Sequence, residues 1–418
     1  MSVIIETLAI DGGTPVRNRD APWPSWPRIS QTEWSRRIEP ALKQVYFSGV
    51  EGLPAPTSAT FARKFAEYCG AEHGQMVVHG TDAIAAALTG ALDLHACDDA
   101  GEVILPNYTF IATASAPLDR RCTLALVDID SKTFTIDPDA IERAIRPGET
   151  KAILPVHLGG HPADMERIME IARKHGLKVI EDCAQSHGAI CAGRKVGSHG
   201  DAAAFSFQSS KGLTSGEGGA VTTNDPEIHA RVAAFKDVGR HPSGEQWEYP
   251  RLGWNYRPSE YLAALLLVRL DDLEAQVEHR CRMAALLNAE LSKVPGITTP
   301  HTAAWCTRHA YHLYAVLVDP LRFGGRSRND VVDALNAEGI PARRGYRTPL
   351  SEQPALLELR QRHPRAIRTL DCPNVQFTCN HSIWFVQTAL HGDEQDMADI
   401  VRGFEKVQRG FGGGAEKG

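Results

Sequence analysis

The sequence lacks the features that announce several large classes of protein. Its 9 cysteines include no CxxC pair and no regular spacing. Neither a metal cluster nor a secreted disulfide framework is therefore expected, and reduced, mostly buried thiols are. Basic charge is not in excess: 45 Lys and Arg stand against 51 Asp and Glu, a formal net charge of -6. That balance argues against a nucleic-acid binder, which carries a basic stripe or domain. Long apolar runs are missing too. The longest, around Tyr261 to Val268, is too short to span a bilayer. The opening MSVIIETLAIDGG has no basic leader and does not read as a signal peptide. There are no internal repeats and no GxSxG nucleophile elbow. These absences leave a soluble, cytoplasmic enzyme or binding protein with no membrane or nucleic-acid partner. Any phosphate site in it is local, built from backbone amides and a few side chains.

What is present is an alternation of strand-like and helix-like segments. The chain has 418 residues, more than one core usually serves, which implies two domains. QMVVHG, EVILP, LALVDID, KAILPVHL and LKVIED are short Val/Ile/Leu-rich runs suited to strands buried on both faces. Helical patterns such as DAIAAALTGALDL and ADMERIMEIARKHG lie between them. The order implies an α/β architecture with a mostly parallel central sheet, and ligands in such sheets sit at the carboxyl ends of strands. After NYRPSE, residues 259–294 read as one long helix, followed by a smaller α+β unit. The expected division is a large domain over 1–270, a small C-terminal domain over 271–410 and a disordered tail at 411–418. The N-terminal segment is expected to pack on the small unit.

Five motifs fall at predicted strand ends or loops. In LKVIEDCAQSHG a strand ends on Glu181 and Asp182, where a buried carboxylate needs a partner. A cationic pyridine nitrogen is one such partner, and Gln185, a turn further on, reaches the same ring's phenolic oxygen. In AAAFSFQSSKGLTSGEGGAV a Ser/Gly-rich loop carries Lys211. A lysine desolvated there becomes a usable amine nucleophile and proton carrier, and Ser206 and Ser209 offer hydroxyls to a phosphate. In HGTDA, Gly80, Thr81 and Asp82 open a helix, with Thr81 as the N-cap, where free amides suit a phosphate. Phe110 in LPNYTFIATA is placed to stack on a flat ring. Asn255 and Arg257 in LGWNYRPSE form a polar loop able to meet an anion. Each has a plain structural reading as well. Asp182 is then a capping or ion-paired carboxylate, Lys211 a solvated lysine, Thr81 an ordinary cap, Phe110 core, and Asn255 and Arg257 exposed. Jointly they supply a lysine, a ring-nitrogen carboxylate, a phosphate cradle and a stacking aromatic. His157 and His161 have the spacing of a metal pair but fall at a strand end and a Gly-Gly turn, so no metal site is expected.

The order GTDA, YTFIATA, PVHLGGHPADM, IEDCAQSHGA, SFQSSKGLTSGEGGAV and GWNYRPSE resembles the DegT/DnrJ/StrS family of pyridoxal 5'-phosphate (PLP) dependent aminotransferases. The wording is nearest to the cyclitol aminotransferases and aminohydroxybenzoate synthases. The resemblance implies a fold-type I PLP-dependent transferase working as a homodimer. It makes Lys211 the Schiff-base lysine and Asp182 the partner of the pyridine nitrogen. Gln185 falls at the ring-oxygen position, Ser206 at a phosphate position, and Gly80, Thr81 and Asp82 at the phosphate-binding helix start. Phe110 matches the stacking aromatic, and Asn255 the residue reaching the phosphate from the neighbouring subunit. The implied reaction is a ping-pong transfer from L-glutamate or L-glutamine to a ketone on a cyclitol or sugar ring. A nucleotide-diphosphate keto-sugar aminotransferase, an aminohydroxybenzoate synthase-like dehydratase/aromatase and a non-catalytic PLP-binding regulator are the alternatives. His79 departs from the common Ser or Asn before Gly-Thr. Ser351 stands where many nucleotide-sugar enzymes carry His. Whether Arg343, Arg344 and Tyr346 face a substrate is left open.

Overall fold

The structure is a computed structural model and describes residues 6–18, 20, 22–47, 56–240 and 247–412. Its main strands are β1 (His73–Val77), β2 (Glu102–Pro106), β3 (Thr123–Val127), β4 (Thr150–Ile153), β5 (Lys178–Asp182), β6 (Ala202–Ser206) and β7 (Gly219–Thr223). They continue with β8 (Ile297–Thr298), β9 (Leu313–Val318), β10 (Arg343–Arg344), β11 (Ile367–Thr369) and β12 (Ser382–Val386). The helices that matter below are α1 (Pro56–Cys69), α2 (Gly80–Ala91), α3 (Met165–His175), α4 (Glu260–Leu270), α5 (Leu273–Leu291) and α6 (Glu394–Gly412).

Eight strands form the large sheet in the order β1-β7-β6-β5-β4-β2-β3-β11. Pairing from β6 to β11 is parallel throughout, whereas β7 is antiparallel to both β6 and β1. Only β7 therefore runs against the rest. The mostly parallel α/β sheet expected from the apolar runs is present. The strands are buried on both faces, which explains their unbroken hydrophobicity: Val103 and Leu105 enter one core, Ile104 the other. Helix α2 is buried from Ala83 to Ala91 and packs on β6 and β7. Its small side chains let it lie close to the sheet.

A second, four-stranded sheet of order β8-β9-β12-β10 is antiparallel and packs with α5 and α6. Leu8 joins that core, and the amides of Ala9 and Val16 donate to Glu338, so the N-terminal segment lies on this unit. Strand β11 lies beyond residue 271 in the chain yet pairs with β3 of the large sheet. Phe411 and Gly412 close α6, and the remainder of the expected tail, 413–418, lies outside the described residues.

The long helix expected over 259–294 is broken in two at Asp271–Asp272. Arg37 explains the break. Its guanidinium donates to the Val268 carbonyl at 2.6 Å and to both Asp272 carboxylate oxygens at 3.0 and 2.8 Å. The Asp272 amide turns to Arg269 instead of Val268, so Arg37 takes the carbonyl left over at the helix end.

Candidate active site

Strands β1, β2, β5 and β6 point the same way, so their carboxyl ends share one edge of the sheet. A cavity of about 630 Å³ opens there. Gly80, Thr81, Asp82, Phe110, Asp182, Gln185, Ser206 and Lys211 all line it. Asn255 does not. It is exposed, outside this cavity, with its backbone bridged to Asp237. Ser209 also falls outside the lining and accepts a hydrogen bond from Gln208.

Asp182 is buried at the end of β5 with its backbone fixed on both sides: its N–H donates to the Pro155 carbonyl, and its carbonyl accepts from the His157 N–H. Its carboxylate accepts from the Thr113 hydroxyl at 2.9 Å and the Ala184 N–H at 3.1 Å. Thr113 in turn is hydrogen-bonded to the Thr109 hydroxyl at 2.9 Å. Burial raises the Asp182 pKa above its ordinary value, opposed by those hydrogen bonds and by the charge of Lys211. A buried carboxylate on a cavity wall with so few donors fits a cationic ring nitrogen. Its neighbour Glu181 points elsewhere and is a structural residue. It accepts from His157 Nε2 at 3.0 Å and from the amides of Gly197, His199 and Gly200. His157 Nδ1 accepts from the Ala163 N–H, and both His161 nitrogens are engaged as well.

Burial alone would raise the Glu181 carboxyl, but the hydrogen bond from His157, the electrostatic pull of His157 and His199 and the Gly197 amide hold it at about 2. A folded pKa below the ordinary 4.5 contributes stability that is complete above 4.5 and lost as pH falls from there towards 2. Glu181→Gln is accordingly expected to flatten the acid limb of a urea-unfolding series across that window. At neutral pH it should cost roughly 3 kcal/mol, the scale for breaking a buried pair. An unchanged acid limb would contradict the assignment.

Lys211 is partly buried, and burial lowers its pKa while the charge of Asp182 raises it. The loop carrying it is pinned: Gln387 Nε2 donates to the Ser210 carbonyl at 2.8 Å, and Trp26 Nε1 to the Lys211 carbonyl at 3.1 Å. The end of the cavity expected to take a phosphate is the start of α2. Here the structure corrects the expected cap, because the helix begins two residues earlier than a Thr81 cap implies: His79 is the N-cap and Thr81 lies in the first turn. No side chain caps this end, since His79 Nδ1 turns to Asp82 Oδ2 at 3.0 Å. The first amides of α2 are left without helical acceptors and face the cavity, a fit for a phosphate. Gly80 allows this: a Cβ there would lie 2.5 Å from Ser206 Cβ and 2.9 Å from its Oγ. Gly80→Ala is expected to push the two walls of the cradle apart at about 1–3 kcal/mol, weakening PLP retention tenfold or more. Equilibrium dialysis of the cofactor measures this, and unchanged affinity would refute the cradle.

Phe110 is 57 % exposed within the cavity, which rules out the plain reading as core. Gln185 Oε1 accepts from the Gly159 N–H at 2.8 Å, and its side chain also hydrogen-bonds Tyr346. Sequence reasoning missed Thr113, His312 and Trp384 and left Tyr346 open. All four line the cavity. Only Thr113 carried a signal, its four-residue spacing from Thr109. Arg343 and Arg344 are both exposed outside it, with Arg344 paired to Asp333.

A lysine, a buried acid, a bare helix start and an exposed aromatic ring thus converge, and residues 34–400 match the DegT/DnrJ/EryC1/StrS aminotransferase family. The chain belongs to this family. Among its relatives is the putative L-glutamine:3-amino-2,3-dideoxy-scyllo-inosose aminotransferase of Streptoalloteichus tenebrarius, 36% identical over 96% of this chain and 98% of the relative. The L-glutamine:2-deoxy-scyllo-inosose aminotransferase of the same organism is 37% identical over 97% of this chain and 98% of the relative. A solved structure of 3-amino-5-hydroxybenzoic acid synthase superposes with a TM-score of 0.80 at 27% identity, covering 92% of this chain and 98% of that one. The chain is a fold-type I, PLP-dependent aminotransferase, as the motifs implied. Among the described residues no helix is long and apolar enough to cross a membrane.

Proposed function

We propose that this aminotransferase moves the amino group of L-glutamine to a ketone on a deoxygenated cyclitol ring of the scyllo-inosose type. The observation that carries the reading is the convergence of Lys211 and Asp182 on one cavity whose far end is the bare start of α2. PLP bound there supplies an electron sink for the carbon that loses and gains the amino group. Asp182 keeps the ring nitrogen protonated, Lys211 anchors the cofactor and carries the proton, and Gly80, Thr81, Asp82 and Ser206 hold the phosphate.

The relatives' acceptors support a free cyclitol, and so does Ser351. Its N–H donates to Asn107 Oδ1 at 2.7 Å, and its hydroxyl accepts from Asn107 Nδ2 at 3.0 Å. A serine turned into its own scaffold, outside the cavity lining, presents no imidazole to a nucleotide diphosphate. Tyr346 and Trp384, packed edge-to-face at 4.8 Å, give the cavity an aromatic wall suited to the C–H face of a ring.

The working unit is a homodimer in which Asn255 of the neighbouring subunit reaches the phosphate. The exposure of Asn255 together with Trp247, Tyr249 and Leu252 supports that surface as a subunit contact. The test is a donor and acceptor panel. L-Glutamine is expected to convert the yellow enzyme to its amine form, and 2-deoxy-scyllo-inosose to restore it. Restoration by a nucleotide-linked keto-sugar alone would overturn the acceptor.

A further inference from the structure

His312 is a cavity residue to which the proposed reaction gives no task. His312 immediately precedes β9, is half-buried, and lines the same cavity as Lys211. Its Nδ1 is buried and has no hydrogen-bond partner among the described residues. Buried imidazole nitrogens are usually hydrogen-bonded, and of the three left unpaired among the described residues, those of His187, His312 and His391, only that of His312 belongs to a cavity residue. The backbone delivers the ring at some expense: Tyr311, one residue before it, has φ 48°, a left-handed conformation that aromatic residues seldom adopt.

The connection to Lys211 is short. The His312 carbonyl accepts from the Gln387 N–H at 3.0 Å, and Gln387 Nε2 donates to the Ser210 carbonyl at 2.8 Å. Two hydrogen bonds thus tie the start of β9 to the residue before the lysine. Arg280 lies fully buried behind the loop, its Nε donating to the Ala310 carbonyl at 3.0 Å. A Cβ on Gly212 would sit 3.4 Å from Arg280 Nη2 and 3.5 Å from Gln387 Oε1. The charged and titratable groups facing the His312 ring are Lys211, His187 and Arg280. Burial first, and then the positive charges of Lys211 and Arg280, push the imidazole well below its ordinary pKa, so it stays neutral and keeps a lone pair to offer.

We infer that His312 is a positioning residue for Lys211: its imidazole accepts a hydrogen bond from the lysine amine once that amine has left the cofactor. The bond steers the amine to the carbon whose proton it moves. No covalent change occurs at His312. The inference rests on Lys211 being anchor and proton carrier, and it adds a group that fixes where the released amine waits.

The test compares His312→Phe and His312→Gln in the PLP-loaded enzyme by stopped-flow of the L-glutamine half-reaction, with ordinary and α-deuterated donor. His312→Phe is expected to retain PLP and its melting temperature. Its half-reaction should slow about 10- to 100-fold, the range for one hydrogen bond to a charged group, with donor KM little changed. The deuterium isotope effect should rise, because proton transfer becomes the slow step, and His312→Gln should recover part of the rate. Should His312→Phe not fold, His312→Gln against wild type gives the same reading through the isotope effect. Unchanged half-reaction rates in both variants would overturn the inference, as would a loss of rate with no change in isotope effect. A wild-type enzyme inert to both L-glutamine and L-glutamate would instead remove the reading of Lys211 itself.

Discussion

Replacing Lys211 by alanine is expected to lower turnover by at least about 10⁴-fold, the upper end for a positioned acid–base group, and to abolish covalent attachment of PLP. Two properties of the site drive the size of this effect. Among the described residues Lys211 is the sole lysine on the cavity wall, and no neighbouring amine there can take over. Its environment also suits an amine that must alternate between free and protonated forms. Burial pushes its pKa down and the Asp182 carboxylate draws it back up. The backbone contribution survives the substitution, because Gln387 and Trp26 hold the Ser210 and Lys211 carbonyls rather than the side chain. The variant should therefore fold, and it should bind PLP reversibly through the α2 cradle and Asp182. Borohydride reduction followed by mass measurement separates the outcomes: wild type gains a phosphopyridoxyl adduct and Lys211→Ala does not. Turnover within tenfold of wild type would sink the assignment.

The second large effect is expected at Asp182. Asparagine preserves shape and one oxygen acceptor for the Ala184 amide, and the Thr113 hydroxyl can reverse its role to accept from the new NH₂. The buried negative charge is what disappears. A ring nitrogen with no anion beside it loses its proton, and the carbon losing its own proton loses the electron sink. Asp182→Asn is expected to keep PLP content near normal while turnover falls about 10³-fold, within the range for losing one such group. Lys211 should respond as well. The carboxylate raises its pKa, so without it burial pushes the amine lower still. PLP content and steady-state turnover, measured on the same preparation, decide the matter. Turnover near wild type would remove Asp182 from the mechanism.

Much of the site was legible because its residues sit at strand ends that the hydrophobic pattern already marked. IEDCAQSHG places Asp182 and Gln185, and SFQSSKG places Ser206 and Lys211, each within a few residues of its strand. What was not legible comes from tertiary contacts. His312, Tyr346 and Trp384 lie 101, 135 and 173 positions after Lys211 and reach the cavity only because the second sheet docks against its mouth. The break between α4 and α5 carries no local breaker stronger than two aspartates. Its cause is Arg37, 235 positions before Asp272. The cap of α2 lies two residues before Thr81, the expected one because Thr is a good N-cap and His a poor one. The protein uses the poor one, and the amides that a threonine cap would have satisfied remain open to a phosphate. Asn255 stands apart from the cavity within one chain, and its proposed task requires a second.

The reversed strand β7 has a consequence for the protein without its cofactor. β1 is an edge strand, and among the described residues its only sheet neighbour is β7, the pairing ending at Val77 and Gly219. A Cβ on Gly219 would lie 2.2 Å from the His79 carbonyl, so the two backbones are in direct contact there. The phosphate cradle grows from the end of β1, while the Lys211 loop feeds into β7. PLP held as proposed would be fastened at one end to the rim strand and at the other to the strand that holds it. Ligand binding of this kind adds to folding stability, and here the gain falls on a sheet edge, the place where foreign strands attach. Apoprotein is expected to exchange the amides of Met76 and Val77 faster than the loaded enzyme and to aggregate sooner on warming, so that the coenzyme serves also as a clasp.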